Sequence, residues 1–393
     1  MNREDFNILS NDIIYFDNAA TTFKPKCVID KINDYYNNYC SNSHRGDYNI
    51  SFKVDDEIDN TRNLVHKFIN SKLKEEIIFT RNTTESLNLI VFGFFYNYLC
   101  DNDEVILSKD EHASNILPWL ILSKYKNINI KFIDNVCNLK SFVTKNTKVI
   151  SLAYITNVYG DVRDIENIIK FAHQNNILVV VDGAQSVPHK KIDVLRLDID
   201  FLAFSAHKMC GPTGVGVLYG KYELLKRMNP ILYGGGMNKD DDSTKLILSD
   251  IPYKFESGTI DIANIIGFSE SIKYLNNIGI CNIEDYISKL RKYFILRLCE
   301  IDYIKIYNKD YLGNTIVFNM DGVLSGDLGL YLNSKNICVR SGKHCARMID
   351  NNDDTIRISL YFYNTYDEID YFINVLKEKD KIIEFVNNWF FKY

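Results

Sequence analysis

No apolar run in the 393-residue sequence reaches the roughly 18 residues that a membrane-spanning helix needs. The first residues, M-N-R-E-D-F-N, are polar and acidic and contain no apolar signal-peptide core. Together these point to a cytoplasmic protein with no membrane partner. Basic charge is not in excess either: the formal net charge is -5, which leaves no basic stripe for a nucleic-acid partner. Nine cysteines are present, yet no two form a C-x-x-C pair, which excludes the usual zinc and thioredoxin-like patterns. No metal is expected, and in a reducing cytosol most of these thiols should be free and semi-buried. The chain shows no internal repeat. Its bulk is ordinary for a soluble globular protein, 46% hydrophobic and 25% charged, and its length suffices for two cores.

The most informative stretch runs from Phe204 to Leu218, F-S-A-H-K-M-C-G-P-T-G-V-G-V-L. An apolar run, 199–204, reads as a buried strand ending at Ser205, and 215–219 reads as another. Lys208 lies between them. A lysine at a strand end among apolar neighbours can lose its proton and serve as an amine nucleophile. Ser205 and His207 can donate hydrogen bonds to a phosphate beside it. An amine next to phosphate donors is the requirement of a pyridoxal 5'-phosphate site.

The rest of the chain supplies a frame. Strands are expected at 13–16, 77–80, 105–107, 128–133, 149–153 and 177–181, and helices at 28–39, 54–69, about 84–100, 113–124 and 165–174. Thr83 or Thr84 is expected to cap the helix that runs to about Cys100, and a capped helix start can hold an anion. Alternating strands and helices argue for an α/β layer with a mainly parallel sheet, whose ligands bind beyond the carboxyl ends of the strands. His112, Asn157, Asp182, Gln185 and Lys208 all fall there. Asp182 could pair with a pyridine nitrogen, Gln185 and Asn157 could reach a ring oxygen, and His112 could stack on the ring. Beyond Tyr219 come helices at about 262–277 and 283–300. Short strands follow at 304–306, 315–319, 337–339 and 355–359, with helices at 327–333 and from 366 onward. This forms an α+β unit with its boundary near Ile262.

The motifs D-N-A-A-T-T (17–22), H-R-G (44–46), T-T-E (83–85), E-H-A-S-N-I-L-P-W (111–119), T-N-V-Y-G (156–160), V-D-G-A-Q-S (181–186), S-A-H-K-M-C-G-P-T-G-V-G (205–216), F-E-S-G-T (255–259) and V-R-S-G-K-H-C-A (339–346) together resemble the class V aminotransferase superfamily. Within it the chain looks like the SufS-type (group II) cysteine desulfurases. The resemblance implies fold type I of the pyridoxal-phosphate-dependent transferases. Residues 16–262 would form a large α/β domain with a mostly parallel seven-stranded sheet, and 1–15 with 263–393 a smaller α+β domain. It implies Lys208 as the Schiff-base lysine, and Thr83, Thr84, Ser205 and His207 as phosphate contacts. Asp182 would lie at the ring nitrogen, Gln185 and Asn157 at the ring oxygen or substrate, and His112 on the ring. Thr259 would reach the phosphate of a neighbouring subunit's cofactor in a homodimer. Arg357 would take the substrate carboxylate, with Arg340, Asn157 and His44 as further substrate contacts.

Cys345, in R-S-G-K-H-C-A, is the implied sulfur-accepting thiol. Arg340, Lys343 and His344 surround it in sequence, and nearby cations favour a thiolate. The implied reaction turns L-cysteine into alanine and leaves a persulfide on Cys345. That sulfur would pass to a carrier of SufU or SufE type for iron–sulfur cluster assembly. The alternative is a selenocysteine lyase or another class V enzyme on the same scaffold. Three departures from the family pattern stand out: the segment between Cys345 and Arg357 is shortened, G-T-I-D replaces G-T-P-N, and Tyr154 holds a histidine's place.

Overall fold

The computed structural model describes residues 3–43, 46–239, 247–344 and 354–390. Its centre is a seven-stranded sheet formed by β2 (Ile77–Thr80), β3 (Glu104–Ser108), β4 (Asn129–Ile133), β5 (Thr147–Ala153), β6 (Leu178–Asp182), β7 (Phe201–Ser205) and β8 (Gly216–Gly220). The spatial order is β2-β8-β7-β6-β5-β3-β4. β7, β6, β5, β3 and β4 are mutually parallel, and β8 runs antiparallel to both β7 and β2. β2 therefore points the same way as the parallel set, and six carboxyl ends share one edge. Strands such as L-V-V-V-D and F-L-A-F-S carry near-continuous apolar runs because helices cover both faces of the sheet.

A second, antiparallel sheet has the order β12 (Arg340–Gly342), β13 (Thr355–Ser359), β10 (Thr315–Met320), β9 (Ile304–Ile306). The two-residue strand β1 (Ile14–Tyr15) pairs in parallel with β11 (Ile337–Cys338). The strand expected over 337–339 is thus two strands. Ile337 and Cys338 bind β1, whereas Arg340 onward turns to bind β13.

Other boundaries also differ from expectation. Asn82, not Thr83 or Thr84, caps the helix that follows β2: its backbone is extended and its side chain accepts from Glu85 N at 2.9 Å. The threonine hydroxyls are engaged elsewhere, Thr83 with Ser205 and Thr84 with Ser114. That helix widens into a π-helical segment over Leu89–Phe95 and ends at Tyr98, short of Cys100. β7 begins at Phe201, two residues later than expected; just before it, the Asp200 carboxylate accepts from Val179 N and Lys221 and pairs with His173. Of the eight described cysteines, five are exposed and only Cys210 is buried, so the thiols are more accessible than expected.

Helix Ile262–Ile278 packs on helices Lys26–Asn38 and Asn49–Ile69. Gly267 permits this: a Cβ there would sit 2.6 Å from Ile32. Just before that helix, the F-E-S-G-T loop is tied to the sheet by a buried ion pair. Arg62 donates to Glu256 at 2.9 and 2.8 Å, and Phe79 N of β2 donates to the same carboxylate at 2.7 Å. Removing one partner strands a buried charge. Glu256→Ala is expected to cost about 3–5 kcal/mol in urea denaturation, most of it recovered when Arg62→Met is added alongside Glu256→Leu. A loss below about 1 kcal/mol in the single variant would mean that the pair does not anchor the loop.

Candidate functional site

A cleft of about 320 Å³ opens beyond the carboxyl edge of the central sheet. It is lined by Thr83 and Thr84 after β2, His112 after β3, Asn157 after β5, and Asp182 and Gln185 from β6 and the turn beyond it. Ser205, His207 and Lys208 line it at the end of β7, and Arg340 and Arg357 close it from the second sheet. Residues as far apart in sequence as Thr83 and Lys208 meet here because parallel strands place their carboxyl ends on one rim, and the second sheet adds the two arginines.

Local chemistry holds each group in place. Ser205 is buried, and its hydroxyl oxygen accepts from Thr83 N at 2.7 Å, coupling the end of β7 to the helix start. Asn82 approaches the first residue of β8 so closely that a Cβ on Gly216 would lie 2.5 Å from its backbone; only glycine fits there. The lysine turn is pinned by the D-N-A-A-T-T segment. Thr22 N and the Thr21 hydroxyl donate to His207 O at 2.9 and 3.0 Å, and Cys210 N donates to Thr22 Oγ1 at 2.8 Å. Asp182 is buried, with Oδ1 accepting from Ala184 N at 2.9 Å. Gln185 donates to Ala19 O at 2.9 Å. Beneath His112, wholly buried Glu111 pairs with Arg163 and accepts from Ala153 N at 2.9 Å and Asn115 Nδ2 at 2.7 Å. This ties the 110–112 turn to the end of β5.

The arginine wall contains a residue that the motifs did not single out. Asp17 accepts from Arg340 Nη2 at 2.9 Å and from Arg357 Nη2 at 3.1 Å. Arg357 is 3% exposed, and its other nitrogen donates to Asn157 O at 2.9 Å. Asn157 in turn donates to His344 O at 2.8 Å, while its buried Oδ1 has no hydrogen-bond partner among the described residues. An acidic residue opening a small-residue turn was the available signal for Asp17. Its partners, more than 300 residues downstream, were not readable from it.

The histidines here are held neutral. Burial first, then the Lys208 and Lys24 ammonium groups, lowers His207 to about 4. Burial and the two arginines lower His344 to about 3. Burial, with Lys208 adding to it, also lowers His112. Ser114 N donates to His112 Nδ1 at 3.1 Å, so the neutral ring carries its proton on Nε2. His189, close by in the interior, is lowered to about 3 by burial. It packs edge-on to Tyr361 and accepts from Asn314 at 3.0 Å.

Among the described candidates, one does not line this cleft. Thr259 lines an adjoining one, which shares Asn82 and His207 with the first. His44 and Cys345 lie outside the described residues. His344, which precedes Cys345, does line the cleft. Among the described residues, no helix is long and apolar enough to cross a membrane.

Residues 14–372 match the family model for class-V aminotransferases. The chain is 42% identical to a probable cysteine desulfurase of Ureaplasma parvum over 383 residues, covering 95% of each chain. It is 39% identical to a probable cysteine desulfurase of Staphylococcus aureus over 399 residues, covering 97% of each. Among solved structures, a cysteine desulfurase from Thermococcus onnurineus has a TM-score of 0.92 at 34% identity, covering 96% of this chain and 97% of that one. The cysteine desulfurase CsdA from Escherichia coli has a TM-score of 0.90 at 31% identity, covering 97% of each.

The lowered histidines have a consequence for stability. A group whose pKa is depressed by folding binds its proton first in the unfolded chain. The folded state therefore loses ground as pH falls from about 6.5 toward 3. For His189 the loss approaches about 1.4 kcal/mol per pH unit. Urea denaturation at stepped pH should show His189→Asn with a shallower acid slope by about one proton than the wild type; equal slopes would contradict the assignment.

Proposed function

This chain belongs to the class-V aminotransferase family, and we propose that it is a pyridoxal-phosphate-dependent cysteine desulfurase. The observation that carries this is the meeting of Lys208, Asp182 and Arg357 in one cleft, bordered by the residue that precedes Cys345. The cleft fits the cofactor. It holds a buried carboxylate at a strand end, hydroxyls of Thr83, Thr84 and Ser205 around a helix start, and the unsatisfied Oδ1 of Asn157. Bound there, pyridoxal phosphate would supply an electron sink that labilises bonds at the substrate's α-carbon.

The chain's own residues do the rest. Lys208 would hold the cofactor and move the α-proton. Asp182 would pair with the ring nitrogen, and His112, with its proton on Nε2, would lie against the ring. Thr83, Thr84, Ser205 and His207 would hold the phosphate, His207 as a neutral donor. Gln185 and Asn157 would contact the ring oxygen or the substrate. Arg357 takes the α-carboxylate of L-cysteine with a fork already set by Asn157 O. The Cys345 thiolate attacks the substrate sulfur: a sulfur–sulfur bond forms, the carbon–sulfur bond breaks, and its electron pair takes up a proton to give alanine. No external oxidant is required.

The persulfide on Cys345 would then pass to an acceptor protein of SufU or SufE type in the cytoplasm, for iron–sulfur cluster assembly. The protein would be a homodimer in which Thr259 reaches the partner's cofactor phosphate, consistent with its place beside the cleft. Arg340 and His44 complete the substrate contacts. Residues 16–262 would form the cofactor-binding domain, and 1–15 with 263–393 the smaller domain carrying Cys345.

Incubation with L-cysteine should add one sulfur atom to the Cys345 peptide, seen by mass spectrometry, and release alanine. Cys345→Ala should keep the visible absorption of the bound cofactor and lose at least about a hundredfold in alanine formation. Undiminished turnover in that variant would overturn the mechanism.

A further inference from the structure

The groups read above as phosphate contacts, Thr83, Thr84, Ser205 and His207, are hydroxyls and a neutral imidazole. A phosphate monoester carries close to two negative charges at neutral pH, so this set brings it no counter-charge. Beside the backbone of His207 stands a further cation, Lys24. Its half-buried ammonium donates to Thr21 Oγ1 at 3.0 Å and to Thr22 O. The Thr21 hydroxyl donates in turn to His207 O at 3.0 Å, where Thr22 N and Thr22 Oγ1 also donate at 2.9 and 3.1 Å. Two successive hydrogen bonds thus lead from the Lys24 ammonium to His207, whose side chain lines the cleft. Among the described residues no carboxylate pairs with Lys24, and burial lowers its pKa to about 8. Its charge, after burial and Lys208, is a further reason that the His207 ring stays neutral. A desolvated cation held only by uncharged oxygens is costly unless an anion comes to it.

We infer that Lys24 is a positioning residue for the cofactor phosphate, acting through Thr21 and the His207 turn and supplying the positive charge that the direct contacts lack. The inference rests on the reading above, in which His207 and its neighbours hold that phosphate. The two charges support each other: a bound phosphate favours the protonated amine, and the protonated amine tightens phosphate binding. Phosphate affinity therefore falls as pH rises through the value at which Lys24 of the empty cleft gives up its proton. The other titratable groups around it do not blur this step. Burial holds His207 down at about 4 and Cys210 up at about 12. Tyr15, whose hydroxyl donates to Thr21 O, and Tyr363, whose hydroxyl accepts from Phe23 N, are raised by burial as well.

Pyridoxal 5'-phosphate and pyridoxal present the same ring and aldehyde to Lys208, and only one of them carries a phosphate. Each would be titrated into the cofactor-free protein, with binding read from the visible absorption that appears. Titration of Lys208 affects both ligands alike and cancels in the ratio of their dissociation constants. Lys24→Gln should lower the preference for the phosphorylated ligand by at least about tenfold, and Lys24→Arg should keep most of it. Raising the pH from about 7 to about 9.5 should erode the wild-type preference and leave that of Lys24→Gln level. If Lys24→Gln fails to fold, the wild-type pH series decides. Equal weakening of both ligands in Lys24→Gln, or a wild-type ratio that ignores pH, would overturn the inference and leave the functional reading intact. A wild-type protein that neither ligand colours would remove the functional reading and this inference with it.

Discussion

Parallel hydrogen bonding between β3, β5, β6 and β7 is the constraint on which everything else depends. It forces the chain to leave each strand on the same rim, so the polar residues after each strand meet without any local sequence signal requiring it. Reversing β8 between β2 and β7 preserves the arrangement, because β2 again points toward that rim. The apolar strand interiors supply the stability and the strand ends supply the chemistry. Lys208 sits one 3-10 turn beyond β7, and the D-N-A-A-T-T segment clamps that turn from the other side.

The rim gathers cationic groups: Lys208, Arg340 and Arg357, with Lys24 close by. Such a concentration is costly unless anions balance it. Two devices lower the cost. Carboxylates are placed within the wall, Asp17 between the arginines and Asp182 at the end of β6. The histidines, meanwhile, are kept neutral by burial beside positive neighbours, so that they act as hydrogen-bonding groups and not as further charges.

Much of this frame was legible in the sequence because it rests on short-range patterns. The runs 77–80 and 355–359 became strands at those limits, and the helix 165–174 likewise. Where two local rules competed, tertiary contacts decided. Asn82 and the two threonines are all good caps, and the position went to asparagine because Ser205 and Ser114 drew the hydroxyls away. The segment 337–342 has a single apolar signature, yet it serves two partners, and no local pattern reveals that switch. Of the candidate site residues that are described, all but Thr259 fall in one cleft. Asp17 was missed as a residue in its own right because its meaning lies entirely in long-range pairing.

That pairing shows how one side chain can join two strands and shape a cleft wall at once. Opposing arginines on adjacent strands would push β12 from β13, so some anion must stand between them. A substrate carboxylate could do so only while bound, which would leave the empty cleft strained. Asp17 resolves this permanently, while Asn157 O orients a second nitrogen of Arg357. An anion that belongs to the fold thus holds the cleft wall in register whether or not a ligand brings one of its own.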